Sequence, residues 1–122
     1  MPAPSQLSIA TSAVRRLLKE ESTYHKELVT EEQKLKDLEQ RVENGEENED
    51  GNAEFILNQH RTAVEQTKAV FAPLRKRIED AVTRLEEQIA IGEENGANET
   101  ELEAAKQVLK EGQKPAANGA SA

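Results

Sequence analysis

The sequence predicts an all-α fold: an antiparallel, up-down-up three-helix bundle with two long helices and one short helix. Aromatic residues are scarce, with two Phe, one Tyr and no Trp in 122 residues, whereas β-sheets are rich in aromatic and β-branched side chains. Gly and Pro are missing from residues 5–44 and 97–111, and Pro73 alone interrupts residues 52–91. Long runs of this kind, separated by short polar turns, are typical of helical hairpins.

The first helix is predicted over residues 9–43, where apolar side chains recur at heptad spacing from Val14 to Val42. Glu21 interrupts this apolar line. If the hairpin closes near residues 43 and 53, Glu21 faces the basic segment 75–77. We therefore expect its carboxylate to form an ion pair there, with a role in fixing the register of the two helices.

The second helix is predicted over residues 53–91 and carries an unbroken apolar line at spacing seven. This line consists of Leu57, Val64, Phe71, Ile78 and Leu85. Pro73 lies within the helix and lacks a backbone N–H, so we expect a kink near it.

The third helix is predicted over residues 99–111, because Asn98 and Glu101 have the spacing of a capping box. Gly45, Gly92 and Gly112 each follow an apolar run. We expect each of these glycines to end its helix in the left-handed conformation that glycine favours.

These elements predict one bundle domain over residues 9–111, a flexible segment 1–8 and a disordered tail 112–122. The third helix is only ~20 Å long, against ~52 Å and ~58 Å for the other two. It therefore leaves an upper hairpin, residues 28–43 and 53–72, with two helices only. Apolar side chains there should stay partly exposed and available to a partner; the candidates are Leu38, Val42, Phe55 and Ile56.

Composition and charge exclude several classes of protein. The net charge of -8 argues against nucleic-acid binding, and no apolar run approaches the ~20 residues that cross a membrane. The absence of Cys excludes disulfides and thiol catalysis. The first residues lack the pattern of a signal peptide, so a cytoplasmic location is expected.

The acidity is concentrated in two blocks, residues 43–54 and 86–103, and the rest of the chain carries a net charge of +5. Basic residues in that remainder can contact acidic patches of a partner. The candidates are Arg15, Arg16, Lys19, Arg75, Lys76 and Arg77.

The sequence predicts no enzyme, cofactor, metal site or small-molecule substrate. His25 should face residue 71 and His60 residue 36, so the two histidines are too far apart to share a metal. The carboxylates lie on solvated faces without a pocket for acid–base chemistry. Phosphate-binding and nucleophile motifs are missing from the sequence.

Three segments carry a family likeness. Residues 6–9 (QLSI), 14–21 (VRRLLKEE, followed by Tyr24) and 56–61 (ILNQHR) resemble helices one and two of tubulin-binding cofactor A, as in a fungal-type member. This sequence departs from the family pattern in two places. Its proline in the second helix is at position 73, whereas the family tends to have one earlier, and its first loop is longer and acidic.

The resemblance implies a small three-helix chaperone of the cytoplasm, associated with the cytoskeleton. Such a protein captures β-tubulin after its release from the cytosolic chaperonin and holds it for assembly of the αβ-tubulin heterodimer, without nucleotide or metal.

Two alternatives remain open from the residues alone. A general coiled-coil adaptor or oligomerisation module would show the same heptads, but it would continue them without a short third helix and self-associate in parallel. Separately, the upper hairpin can serve either as the β-tubulin contact or as the surface through which two copies pair as a homodimer. A prefoldin-like holdase is also a helical hairpin, but it needs strand-forming residues between its helices, and the loop 44–52 has no β-branched residue.

Overall fold

A computed structural model describes residues 4–46 and 51–114 as three helices. These are α1 (Gln6–Glu43), α2 (Ala53–Glu94) and α3 (Glu99–Gln113), and the described residues contain no strand. The all-α, three-helix prediction is confirmed. Helix α1 begins three residues earlier than predicted and buries Leu7, while α2 and α3 each run slightly further. The predicted tail beyond residue 114 lies outside the described residues.

The chain divides into two compact units. The first, here the three-helix unit, comprises Met1–Ser22 and Ala72–Ala122, and the second, the hairpin unit, comprises Thr23–Phe71. The three-helix unit holds the start of α1, the second half of α2 and all of α3. The hairpin unit holds the rest of α1 and the first half of α2.

The core of the three-helix unit is built from branched aliphatic side chains of α1 and α2, which α3 covers with Ala105 and Val108. The largest fully buried side chains are Leu74, Ile78, Leu85 and Val14. Polar contacts attach α3 at its edges. Lys106 donates a hydrogen bond to Glu93 at 2.8 Å, which raises the pKa of Lys106.

Gly112 lies inside α3 and is buried, so the prediction that it ends the helix is wrong. A Cβ atom at this position would lie 2.7 Å from Val82 Cγ2 and 3.1 Å from Val14 Cγ1. The side chain is absent here because α3 approaches its two neighbours too closely to accommodate one.

Of the other two glycine predictions, the one for Gly45 is confirmed and the one for Gly92 is wrong. Gly45 has a φ of 79°, and two backbone hydrogen bonds, from Glu46 N–H to the Arg41 carbonyl and from Gly45 N–H to the Val42 carbonyl, close a Schellman motif. That prediction is confirmed. Gly92, by contrast, is helical, and Gly96 takes the left-handed conformation with a φ of 69°.

The start of α3 has the Asn98 half of the predicted capping box. The Asn98 side chain accepts hydrogen bonds from the backbone N–H groups of Thr100 and Glu101, at 2.8 and 3.2 Å. The Glu101 carboxylate accepts a hydrogen bond from the Ser5 hydroxyl. The cap therefore links the beginning of α3 to the residues that precede α1.

In the hairpin unit, α1 and α2 contact each other in a regular order. Glu32 pairs with Lys68, Glu39 pairs with Arg61, and His25 stacks on Phe71. Residue numbers fall along α2 as they rise along α1, as expected for neighbouring helices that run in opposite directions. Helix α2 continues through Pro73; the kink there and the full up-down-up arrangement stay predictions.

Candidate protein-binding surface

The six candidate basic residues lie in the three-helix unit, and Arg75 is engaged in its core. Arg75 Nη1 donates to both Glu21 carboxylate oxygens, at 3.2 and 3.1 Å. The Glu21 side chain is 7% exposed and that of Arg75 is 25% exposed. The predicted pairing of Glu21 with a base of segment 75–77 is confirmed, and Arg75 serves the fold.

Three more of these bases have partners within the chain. Arg77 lies 3.9 Å from a Glu20 carboxylate oxygen, and Lys76 lies 3.7 Å from one of Asp80. Lys19 is likewise engaged.

Arg15 and Arg16 differ from the other four. Both are exposed, and neither forms an ion pair with any residue in the described ranges. They are therefore the members of the basic set that a partner can neutralise without breaking a contact within the chain.

Of the four apolar candidates, Phe55 is the most accessible, with 63% exposure. Val42 and Ile56 are half-buried. The expectation that Leu38 stays partly open is wrong, since it is only 7% exposed. Two helices alone bury the side chains on the line between them, and only residues beside that line remain accessible.

Ion pairs close one side of the hairpin unit. Arg61 donates to the carboxylates of Glu54 and Glu39, at 3.2 and 3.3 Å, and Lys68 approaches Glu32 at 3.9 Å. The hydrogen bonds to Glu54 and then Glu39 raise the pKa of Arg61. All these groups are solvent-accessible, so their ion pairs make this side of the hairpin unit polar and contribute little to its stability.

The core of the hairpin unit contains a buried imidazole. The His25 ring stacks on Phe71 with centroids 4.4 Å apart, and Tyr24 meets Phe71 edge-on at 6.5 Å. Neither ring nitrogen of His25 has a hydrogen-bond partner in the described structure. Counting residues from the closure point of the hairpin places His25 opposite residue 71. The sequence gives no sign that both ring nitrogens would lack partners.

Within the described ranges, no group of three His, Asp or Glu side chains is placed to hold a metal ion. None of the helices, over those same residues, has an apolar stretch long enough to cross a membrane.

The described residues form an all-α protein, so the surfaces that a partner can reach are helix faces. Four of the six basic candidates already have partners within the chain, whereas Phe55 is exposed next to the half-buried Ile56. Comparison with known families makes this specific. Residues 2–109 match the family described as tubulin binding cofactor A, and the chain belongs to that family. The family comprises chaperone-type cofactors that bind tubulin. No curated protein and no solved structure matches the chain.

Proposed function

We propose that this protein captures β-tubulin after its release from the cytosolic chaperonin and holds it for assembly of the αβ-tubulin heterodimer, in the cytoplasm and in association with the cytoskeleton. The observation that carries the proposal is the family match over residues 2–109. The exposed helix faces supply the kind of surface that such a holding function needs.

Binding in this proposal rests on helix faces more than on long-range attraction. β-Tubulin is an acidic protein and this chain carries a net charge of -8, so the two molecules repel each other at a distance. Apolar contacts from Phe55, Ile56 and Val42 supply affinity, while Arg15 and Arg16 meet acidic patches locally.

The direct test is a pulldown from cytosol with the full chain as bait, followed by mass spectrometry. We expect enrichment of β-tubulin over α-tubulin. Equal recovery of the two subunits would contradict capture of free β-tubulin, and recovery of neither would contradict tubulin binding altogether. Light scattering of the purified chain measures its molecular mass, and a mass above that of one chain would favour a self-associating coiled-coil module.

Phe55 is the best single anchor, because a large exposed aromatic side chain at a helix start gains most from burial. We expect the Phe55→Ser/Ile56→Ser variant to bind β-tubulin ~1–3 kcal/mol more weakly, with a smaller change in stability. Val29→Ser controls for the loss of an exposed apolar side chain elsewhere in the same unit, since Val29 is 59% exposed and lies on α1. Unchanged capture together with a large loss of thermal stability would show that these residues belong to the core.

A further inference from the structure

We propose that the outer face of α2 in the hairpin unit is the surface that contacts the tubulin subunit, and that its defining property is the absence of charge. This inference rests on the proposed function and names the face that performs it. The α2 outer face comprises Phe55, Ile56, Gln59, Thr62, Ala63, Gln66, Ala69 and Val70.

The position of this face follows from helical geometry. At 3.6 residues per turn, these eight side chains occupy an arc of about 140° around α2. The core line through Leu57 and Val64, both 4% exposed, and the ion-paired line through Arg61 and Lys68 lie on the rest of the helix. Five of the eight residues are exposed and the other three are half-buried, so the whole face is accessible.

The absence of charge is unusual for this molecule. The chain is 33% charged, so several charges would be expected among eight surface positions, yet this arc has none. The corresponding surface of α1 in the same unit behaves as the composition predicts, with Lys26, Lys34, Lys36 and Asp37 all exposed. Both helices of the hairpin carry exposed charge, but on α2 the exposed charges of Glu54, Glu65 and Lys68 lie outside this arc, which forms a neutral strip.

The chemistry of the strip fits a protein partner. The centres of protein–protein interfaces are depleted in charge, because an unpaired charge loses its hydration on burial without compensation. Phe55, Ile56 and Val70 supply apolar contact, and the amides of Gln59 and Gln66 can form hydrogen bonds across the interface. The face requires an equally uncharged, partly apolar surface on its partner.

The occupant is a tubulin subunit and not a second copy of this chain. The strip is ~22 Å long and ~10 Å wide, so two copies pairing through it alone would bury well under the ~1,200 Å² of a stable dimer. The family match supplies tubulin as the partner, and a tubulin subunit can extend its contact from the strip onto neighbouring residues. The mixture of apolar and amide side chains also suits a surface that must stay exposed until its partner arrives.

Placing charge on the strip tests the inference. The α2 variants are Gln59→Glu/Gln66→Glu and Gln59→Lys/Gln66→Lys, and the controls are Gln33→Glu/Gln40→Glu and Gln33→Lys/Gln40→Lys. Both pairs of positions are exposed, seven residues apart and in the hairpin unit, so the variants match in spacing and in the charge that they introduce. The control variants also lose the hydrogen bond that Gln33 donates to Asp37 at 2.9 Å, and its effect on stability is measured with the thermal melts. Circular dichroism and thermal melting show that each variant is folded.

We expect both α2 variants to bind β-tubulin at least tenfold more weakly than the unmodified chain, and both controls to bind within threefold of it. Equal effects on the two helices, while the unmodified chain still captures β-tubulin, would overturn the inference and leave the proposed function standing. So would weakening by Glu alone, because repulsion from an acidic partner would then explain it. A dimer that the α2 variants convert to monomer would identify a second copy as the occupant. Failure of the unmodified chain to capture β-tubulin would overturn the proposed function itself.

Discussion

At the scale of single residues, His25 combines burial with polar atoms that lack partners in the described structure. It is 8% exposed, it packs on Phe71, and neither ring nitrogen has a hydrogen-bond partner among the described residues. Burial of a polar group without a partner costs free energy, because its hydrogen bonds to water are lost and not replaced. Stacking on Phe71 offsets only part of this cost.

We therefore expect His25→Leu to raise the free energy of unfolding by about 1 kcal/mol, since an apolar side chain of similar size removes the unsatisfied nitrogens. Chemical denaturation monitored by circular dichroism measures this change. His60→Leu is the control: His60 is half-buried, and its replacement should change stability by less than ~0.5 kcal/mol. A loss of stability in His25→Leu would mean that the imidazole forms a favourable interaction in solution.

At the scale of the elements, sequence patterns predicted the features that depend on residues close along the chain or on where the hairpin closes. The three helices, the Asn98 cap and the Gly45 turn are local, and the pairing of Glu21 with Arg75 follows from the closure point of the hairpin. The burial of Leu38 was missed because heptad position alone does not say how far two helices cover the line between them.

The role of Gly112 could not be predicted from the residues around it in the sequence. A glycine after an apolar run suits two uses, a left-handed helix end and a close approach between helices, and the sequence around it is the same in both cases. Only the distances to Val82 and Val14 distinguish them. The neutral strip on α2 is different, since a helical projection of residues 55–70 already displays it, and the signal lies in which residue types are missing.

We expect Gly112→Ala to destabilise the protein by up to ~2 kcal/mol. The added methyl group overpacks the site at a cost of ~1–3 kcal/mol, and the ~1 kcal/mol that alanine gains over glycine in a helix offsets part of this cost. Val82→Ala removes the nearest methyl group, at 2.7 Å, so in that background Gly112→Ala should be neutral or stabilising. Thermal melts of the two single variants and the double variant measure the coupling. Stabilisation by Gly112→Ala alone would show that α3 packs more loosely than these distances indicate.

At the scale of the whole molecule, the basic residues divide between those that pair with acids of the chain and those that are exposed without an ion pair among the described residues. The chain carries 24 acidic and 16 basic residues, and several bases neutralise acids of the chain itself. Charge reversal at all six basic candidates would abolish any electrostatic share of binding, but it would also break the buried pair of Glu21 with Arg75. Arg15 and Arg16 allow the same question to be asked without that damage.

We expect Arg15→Glu/Arg16→Glu to slow association with β-tubulin three- to tenfold at low salt, because exposed charges that meet acidic patches of a partner act mainly on the association rate. The difference should shrink as salt rises, since the screening length falls to ~10 Å at 0.1 M ionic strength. Lys34→Glu/Lys36→Glu is the control, as it changes the net charge equally at two exposed positions of α1 in the hairpin unit. Stopped-flow association over a series of salt concentrations measures both variants. If the two pairs slow binding equally, net charge alone governs the encounter, and Arg15 and Arg16 have no local acidic contact on tubulin.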